Sequence, residues 1–116
     1  MKNNPFQSAK PVLIFNTKQV LVAITNSLHT SADLTFGNVQ SISFACTGRY
    51  VHSAGLYFRH LSDQILLEID DIGSLRLPEY DRMCCDNDRK YYTCKQMREI
   101  RQISLNRKVE KGGQHD

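Results

Sequence analysis

No apolar run in this 116-residue chain exceeds strand length; the longest, 12–15 and 20–24, are far short of the roughly 20 residues that cross a bilayer. A membrane-spanning helix is therefore not expected. The opening Met1-Lys2-Asn3-Asn4-Pro5 has no apolar core of the kind that directs secretion, so the expected compartment is cytoplasmic. Four cysteines are present, Cys46, Cys84, Cys85 and Cys94, but no Cys-x2-Cys or His-x3-His pair accompanies them, and free thiols are expected in place of disulfides or a zinc site. Also missing are a glycine-rich phosphate loop, a nucleophile elbow, a paired-acid metal motif and any His-Asn-His-like grouping of His29, His52, His60 and His115. The adjacent Asp70 and Asp71 point in different directions on regular structure, and Cys46 falls on the inward face of its helix. No catalytic residue, metal or cofactor is expected, and the chain reads as a non-enzyme.

Acidic side chains are scarce at first and then crowded. Residues 1–61 carry five Lys/Arg against one acid (+4), residues 62–88 two against eight (−6), and residues 89–111 eight against two (+6). Two basic segments thus flank an acidic one. The division suits intramolecular attraction, a phosphate-seeking face with the acids held away from it, or solvated faces. The length suits one modest domain with one core.

Apolar runs at 12–15 and 19–24, separated by Asn16-Thr17-Lys18, predict a β-hairpin. A first helix is expected over 28–34, with Ser27 as N-cap and Leu28, Ser31, Ala32 and Leu34 available for packing. Phe36-Gly37 makes the turn, with Gly37 supplying a positive φ. Asn38 then caps a second helix that stops at Gly48. Val39, Ile42 and Cys46 share its inward face, and Gln40, Ser41, Phe44 and Thr47 share the other. Residues 56–60 predict a third strand and 65–69 a further one, with a turn at Asp70-Asp71-Ile72-Gly73. A short helix beginning near Leu77-Pro78 and a basic, partly amphipathic helix over 92–109 complete the chain, with a frayed tail from residue 111.

The expected fold class is α+β: a small hairpin or three-stranded sheet packed on a helix-turn-helix, followed by a short strand/helix segment and a basic C-terminal helix. Its parts are a leader (1–10), a hairpin plus helix-turn-helix module (11–61), an acidic segment (62–88) and a basic helix with tail (89–116). Residues 62–116 are expected to pack on the same single domain.

The order of elements over residues 11–60, with Ser41-Ile42-Ser43 opening the second helix, Cys46-Thr47-Gly48 closing it and Gly55-Leu56-Tyr57-Phe58 beyond, resembles the small DNA-binding modules associated with homing endonucleases. That resemblance implies a hairpin and compact helix-turn-helix docking as one unit on double-stranded DNA, here without a nuclease half. The turn Leu34-Thr35-Phe36-Gly37 and the aromatic Phe44 depart from the family pattern. The resemblance suggests transcription regulation in a phage or mobile element.

Side chains suited to the groove are Asn38, Gln40, Ser41, Phe44 and Thr47, since amide and hydroxyl groups hydrogen-bond base edges and a phenyl ring can meet a thymine methyl. Arg49 and Arg59, with Lys95, Arg98 and Arg101 from the basic helix, suit the phosphates. One short reading helix spans few base pairs, which favours a homodimer. The alternative is a protein partner: an interaction module or small inhibitor using its acidic segment and Phe44. Tyr91-Tyr92 beside Arg89-Lys90 resembles a patch for single strands.

Overall fold

The computed structural model of the chain describes residues 10–113, with side chains through residue 107. The expected leader, apart from Lys10, and the last three residues of the tail lie outside the described residues.

Strand β1 (Val12–Phe15) pairs antiparallel with β2 (Leu21–Thr25), Leu13 opposite Ile24, with a register irregularity between Ile14 and Phe15. Asn16 closes the hairpin: its Oδ1 accepts the N–H groups of Lys18 and Val20 at 2.9 and 3.0 Å. Gln19 takes a left-handed conformation (φ 67°), so β2 starts at Leu21, two residues later than the apolar pattern suggests. Strand β3 (Tyr57–His60) pairs with the other edge of β1, giving the order β2-β1-β3.

Every residue of β1 is buried, and successive side chains serve opposite faces. On one face, Val12, Ile14 and Phe58 pack with Ala32, Ile42, Ala45 and Cys46 of helices α1 (Leu28–Thr35) and α2 (Val39–Thr47). On the other, Leu13, Phe15, Leu21 and Tyr57 pack with Leu75, Leu77, Tyr80 and Met97, from the approach to α3, from α3 itself (Leu77–Met83) and from α4 (Cys94–Gly113). The fold is α+β, as expected, with its sheet covered on both sides. Residues beyond 61 are therefore integral to the core.

Both ends of the helix pair are fixed locally. Ser27 Oγ accepts the N–H of Thr30 at 3.1 Å to start α1, and Asn38 Oδ1 accepts the N–H of Ser41 at 3.0 Å to start α2. Gly48, at φ 93°, ends α2. The turn between them departs from expectation: the left-handed residue is Phe36 (φ 57°), not Gly37. Gly37 sits in close quarters instead: a Cβ there would lie 3.0 Å from Thr35 Oγ1 and 3.1 Å from Ile42 Cδ1, so either side chain would have to give by a few tenths of an ångström. Leu34, expected to pack, is exposed, and its neighbour Thr35 is buried instead.

The strand expected over 65–69 does not form. Ile65 and Leu67 pack against the core while Leu66 and Ile69 are 88% and 83% exposed, and a 3-10 turn (Ile69–Asp71) follows. One edge of the sheet is already taken. Residues 73–77 take the outer side of β2, with Gly73 N–H donating to Leu21 O, Leu21 N–H to Leu75 O and Leu77 N–H to Gln19 O at 2.7–2.9 Å.

The basic helix begins at Cys94, not Tyr92. Thr93 and Gln96 form a reciprocal capping box, Gln96 N–H donating to Thr93 Oγ1 and Thr93 N–H to Gln96 Oε1. The helix also runs through Gly113, past the point where fraying was expected. Its apolar residues do not form one stripe: Met97 is buried, Ile100 and Leu105 half-buried, and Ile103 exposed.

Candidate nucleic-acid interface

Helix α2 carries no charged residue from Asn38 to Thr47. Ile42, Ala45 and Cys46 face β3, which leaves Gln40 and Thr47 exposed and Ser41 and Phe44 half-buried on the outward side. Asn38 is also exposed, but its Oδ1 is already occupied by the capping bond.

Beyond Gly48 the chain doubles back over the helix, with Tyr50 N–H donating to Phe44 O at 3.1 Å. That return lays the Arg49 guanidinium over the Phe44 ring, 4.5 Å from its centroid, and sets Tyr50 edge-on to it at 5.1 Å and 78°. Phe44 is thereby covered, while Arg49 remains exposed at the helix end.

A second arginine supports the same end from inside. Arg89 donates from Nη1 to Ala45 O at 3.3 Å and from Nη2 to Cys46 O at 2.6 Å, and its Nε meets Asp86 Oδ2 at 2.6 Å. A cation on the last carbonyls of a helix satisfies acceptors that have no intrahelical donor and complements the helix dipole. Gly48 makes room for it: a Cβ there would sit 3.0 Å from Arg89 Nη1. The sequence around Arg89 reads as a basic and aromatic patch, since no local signal joins it to a helix more than forty residues earlier.

Two of the arginines expected on phosphates are engaged inside the protein. Arg59 is 3% exposed and forms a two-pronged pair with Asp81, Nε to Oδ1 at 2.8 Å and Nη2 to Oδ2 at 2.9 Å, while Nη1 donates to Phe58 O. The Tyr91 hydroxyl adds a third donor to Asp81, at 2.6 Å. Burial and that bond push the Tyr91 phenol up to about 12. A side chain so enclosed cannot reach a phosphate. Arg101 is half-buried and donates from Nη1 to Thr35 O and Ala54 O at 3.2 and 3.4 Å, tying α4 to the end of α1; burial moves its pKa downward. Lys95 and Arg98 are exposed on α4, and among the described residues no hydrogen bond or ion pair joins them to α2.

The acidic segment is in part internal. Asp81 and Asp86 meet Arg59 and Arg89, whereas Asp63, Glu68, Asp70, Glu79 and Asp88 are exposed. Tyr91 and Tyr92 diverge as adjacency predicts, but from a loop: Tyr91 points to Asp81, and Tyr92 is exposed with its ring edge-on to His52 at 5.4 Å.

All four cysteines are free. Burial pushes the Cys46 thiol up to about 12 against the opposing fields of Arg59 and Arg89, which makes it a poor nucleophile. Among the described residues no group of three or more His, Cys, Asp or Glu is placed to hold a metal ion, and no helix is long and apolar enough to cross a membrane.

Two clefts flank α2. One of about 400 Å³ lies beyond its C-terminus, lined by Thr47, Arg49, Asp86, Asp88, Arg89 and Lys90; another, of about 470 Å³, opens beside Ser41. Comparison with family models, with curated proteins and with solved structures returns no match for this chain.

Proposed function

We propose that this chain is a small non-catalytic DNA-binding protein that lays α2 in the major groove, with Gln40, Ser41 and Thr47 toward base edges and Arg49 on the phosphates. The observation that carries this reading is the outward face of α2. It is uncharged and hydrogen-bonding, is capped at both ends, and has an exposed arginine directly past its C-terminus. Neutral amide and hydroxyl groups suit base edges, and a cation at the rim suits the backbone. The resemblance to homing-endonuclease-associated modules supports the same docking. In this reading Phe44 holds Arg49 in place through its ring face, and Asn38 serves the helix as its cap. A homodimer would double the short site that one α2 can read.

Fluorescence anisotropy of a labelled duplex at two salt concentrations tests the proposal. Log affinity is expected to fall linearly with log salt, with a slope of about −0.9 for each phosphate neutralised. Arg49→Ala should weaken all sequences alike and flatten that slope by about one phosphate, whereas Gln40→Ala should cost about 1–3 kcal/mol of preference among sequences if its amide pairs with a base edge. Absence of binding at low salt overturns the reading. A protein partner for the acidic segment is the second reading, favoured by the exposure of Leu66 and Ile69 between acidic neighbours. It predicts indifference to duplex DNA.

A further inference from the structure

The cleft of about 470 Å³ beside α2 is lined by Ser41, Arg49, Tyr50, His52 and Tyr92, among others, and so brings three ring systems and a cation next to the outward face of the helix. The backbone that carries its rings is held in place, and each ring has an aromatic neighbour. The backbone of Tyr92 is held on both sides by one hydroxyl, Tyr92 N–H donating to Tyr57 Oη at 3.0 Å and Tyr57 Oη donating to Tyr92 O at 3.2 Å. His52 accepts the Gly55 N–H on Nδ1 at 3.3 Å, which leaves Nε2 to carry the ring proton as a donor. Burial moves the His52 pKa downward, keeping the ring neutral near pH 7. Tyr50 is held by its backbone bond to Phe44 and by the edge contact with that ring. Tyr50 and Tyr92 nevertheless remain 45% and 39% exposed.

Exposed rings on a rigid base, a neutral donor, a hydroxyl and an exposed guanidinium are the chemistry that holds a nucleotide outside a stack: ring faces for the base and a cation for its phosphate. We propose that the cleft takes one unpaired, unstacked nucleotide of the DNA on which α2 docks, its base against Tyr50 and Tyr92 and its phosphate at Arg49. The proposal rests on the DNA-binding reading above and adds a preference to it: a duplex with an unpaired nucleotide near the α2 site binds more tightly than a perfect one. It also gives Tyr92 a role that the split of the Tyr91-Tyr92 pair leaves open.

The test uses the full chain and two labelled duplexes, one fully paired and one with a single additional unpaired thymidine. Wild type is expected to favour the second, on the order of ten-fold, from one base stacked on aromatic rings. Tyr92→Leu should abolish that preference and leave affinity for the paired duplex unchanged, because the bonds that fix this position come from its backbone. Thermal melting verifies that the variant folds, and Tyr50→Leu provides an independent arm if it does not. The chain contains no tryptophan and five tyrosines, so its ultraviolet emission is tyrosine emission; oligothymidine should quench it in wild type and less in Tyr92→Leu. Equal affinity of wild type for both duplexes, or a preference that survives both substitutions, overturns the proposal. Binding to the paired duplex without any preference would remove the cleft proposal alone, whereas binding to neither would remove the DNA reading with it.

Discussion

At the scale of single residues the buried pair Arg59–Asp81 is the most exacting arrangement in the molecule. Each partner lies within the interior, and Phe58 O and Tyr91 Oη satisfy further valences around the pair. Removing one partner strands the other charge in a dry site, so Asp81→Leu alone should cost about 3–5 kcal/mol, while Arg59→Met with Asp81→Leu should restore much of it. Urea titrations of the single and double variants read this directly; a double variant as unstable as the single would contradict it. The histidines set a pH dependence. Burial pushes His52 and His60 below the usual 6.5, with the Lys10 charge adding to the effect at His60, whose Nδ1 has no hydrogen-bond partner among the described residues. Below 6.5 the unfolded chain takes up protons that the folded chain resists. Stability is therefore complete above 6.5 and is lost as pH falls from 6.5 toward the lower folded values. Melting temperatures recorded across that interval should decline, and the decline should be shallower in His60→Leu.

At the scale of elements α4 lies close against the loop before β3. A Cβ on Gly55 would lie 2.6 Å from both N and Cα of Arg101, and Gly55 has φ +83°, so substitution meets backbone on one side and conformational strain on the other. Gly73 has a similar φ of +92° with open space around it. Gly55→Ala should therefore cost about 3 kcal/mol or more and Gly73→Ala about 1–2 kcal/mol, a contrast that separates crowding from φ strain. Matched thermal melts decide the point, and equal losses would show that Arg101 and its helix can shift aside. Ser27, Asn38 and Gly48 were legible in the sequence as helix boundaries because each acts on backbone groups within a few residues of itself. The capping box Thr93-x-x-Gln96 is equally local, and it marks the start of α4 at Cys94. The segment 65–69 could not be read in the same way. Its apolar composition is that of a strand, but a strand needs an edge, and residues 73–77 occupy the one beside β2.

At the scale of the whole molecule β1 ties the halves together, because its two faces require two different covers. Residues 11–61 supply the cover for Val12 and Ile14, and residues beyond 61 supply the one for Leu13 and Phe15. A fragment ending at residue 61 should therefore lack a cooperative unfolding transition, although it contains every strand and both helices of the expected module. Circular dichroism melting measures this, and a sharp transition in the fragment would show that the second face can be left bare. The same interlocking accounts for the segregated charge. Part of the acidic segment is anchored to Arg59 and Arg89, so the net positive charge available at the surface is not carried by those two residues.

The amino-acid sequence by itself determined the hairpin, the capped helix pair with its inward and outward faces, the third strand and the α+β class, since all of these follow from periodicity and from capping or turn residues acting over a few positions. Only the tertiary structure decided the fate of the arginines. Arg59 meets its carboxylate 22 positions away, Arg89 its helix carbonyls 43 and 44 positions away, and Arg101 the Thr35 carbonyl 66 positions away. A guanidinium is equally suited to a phosphate, a carboxylate or a carbonyl, and which of them it meets depends on what folding brings opposite it.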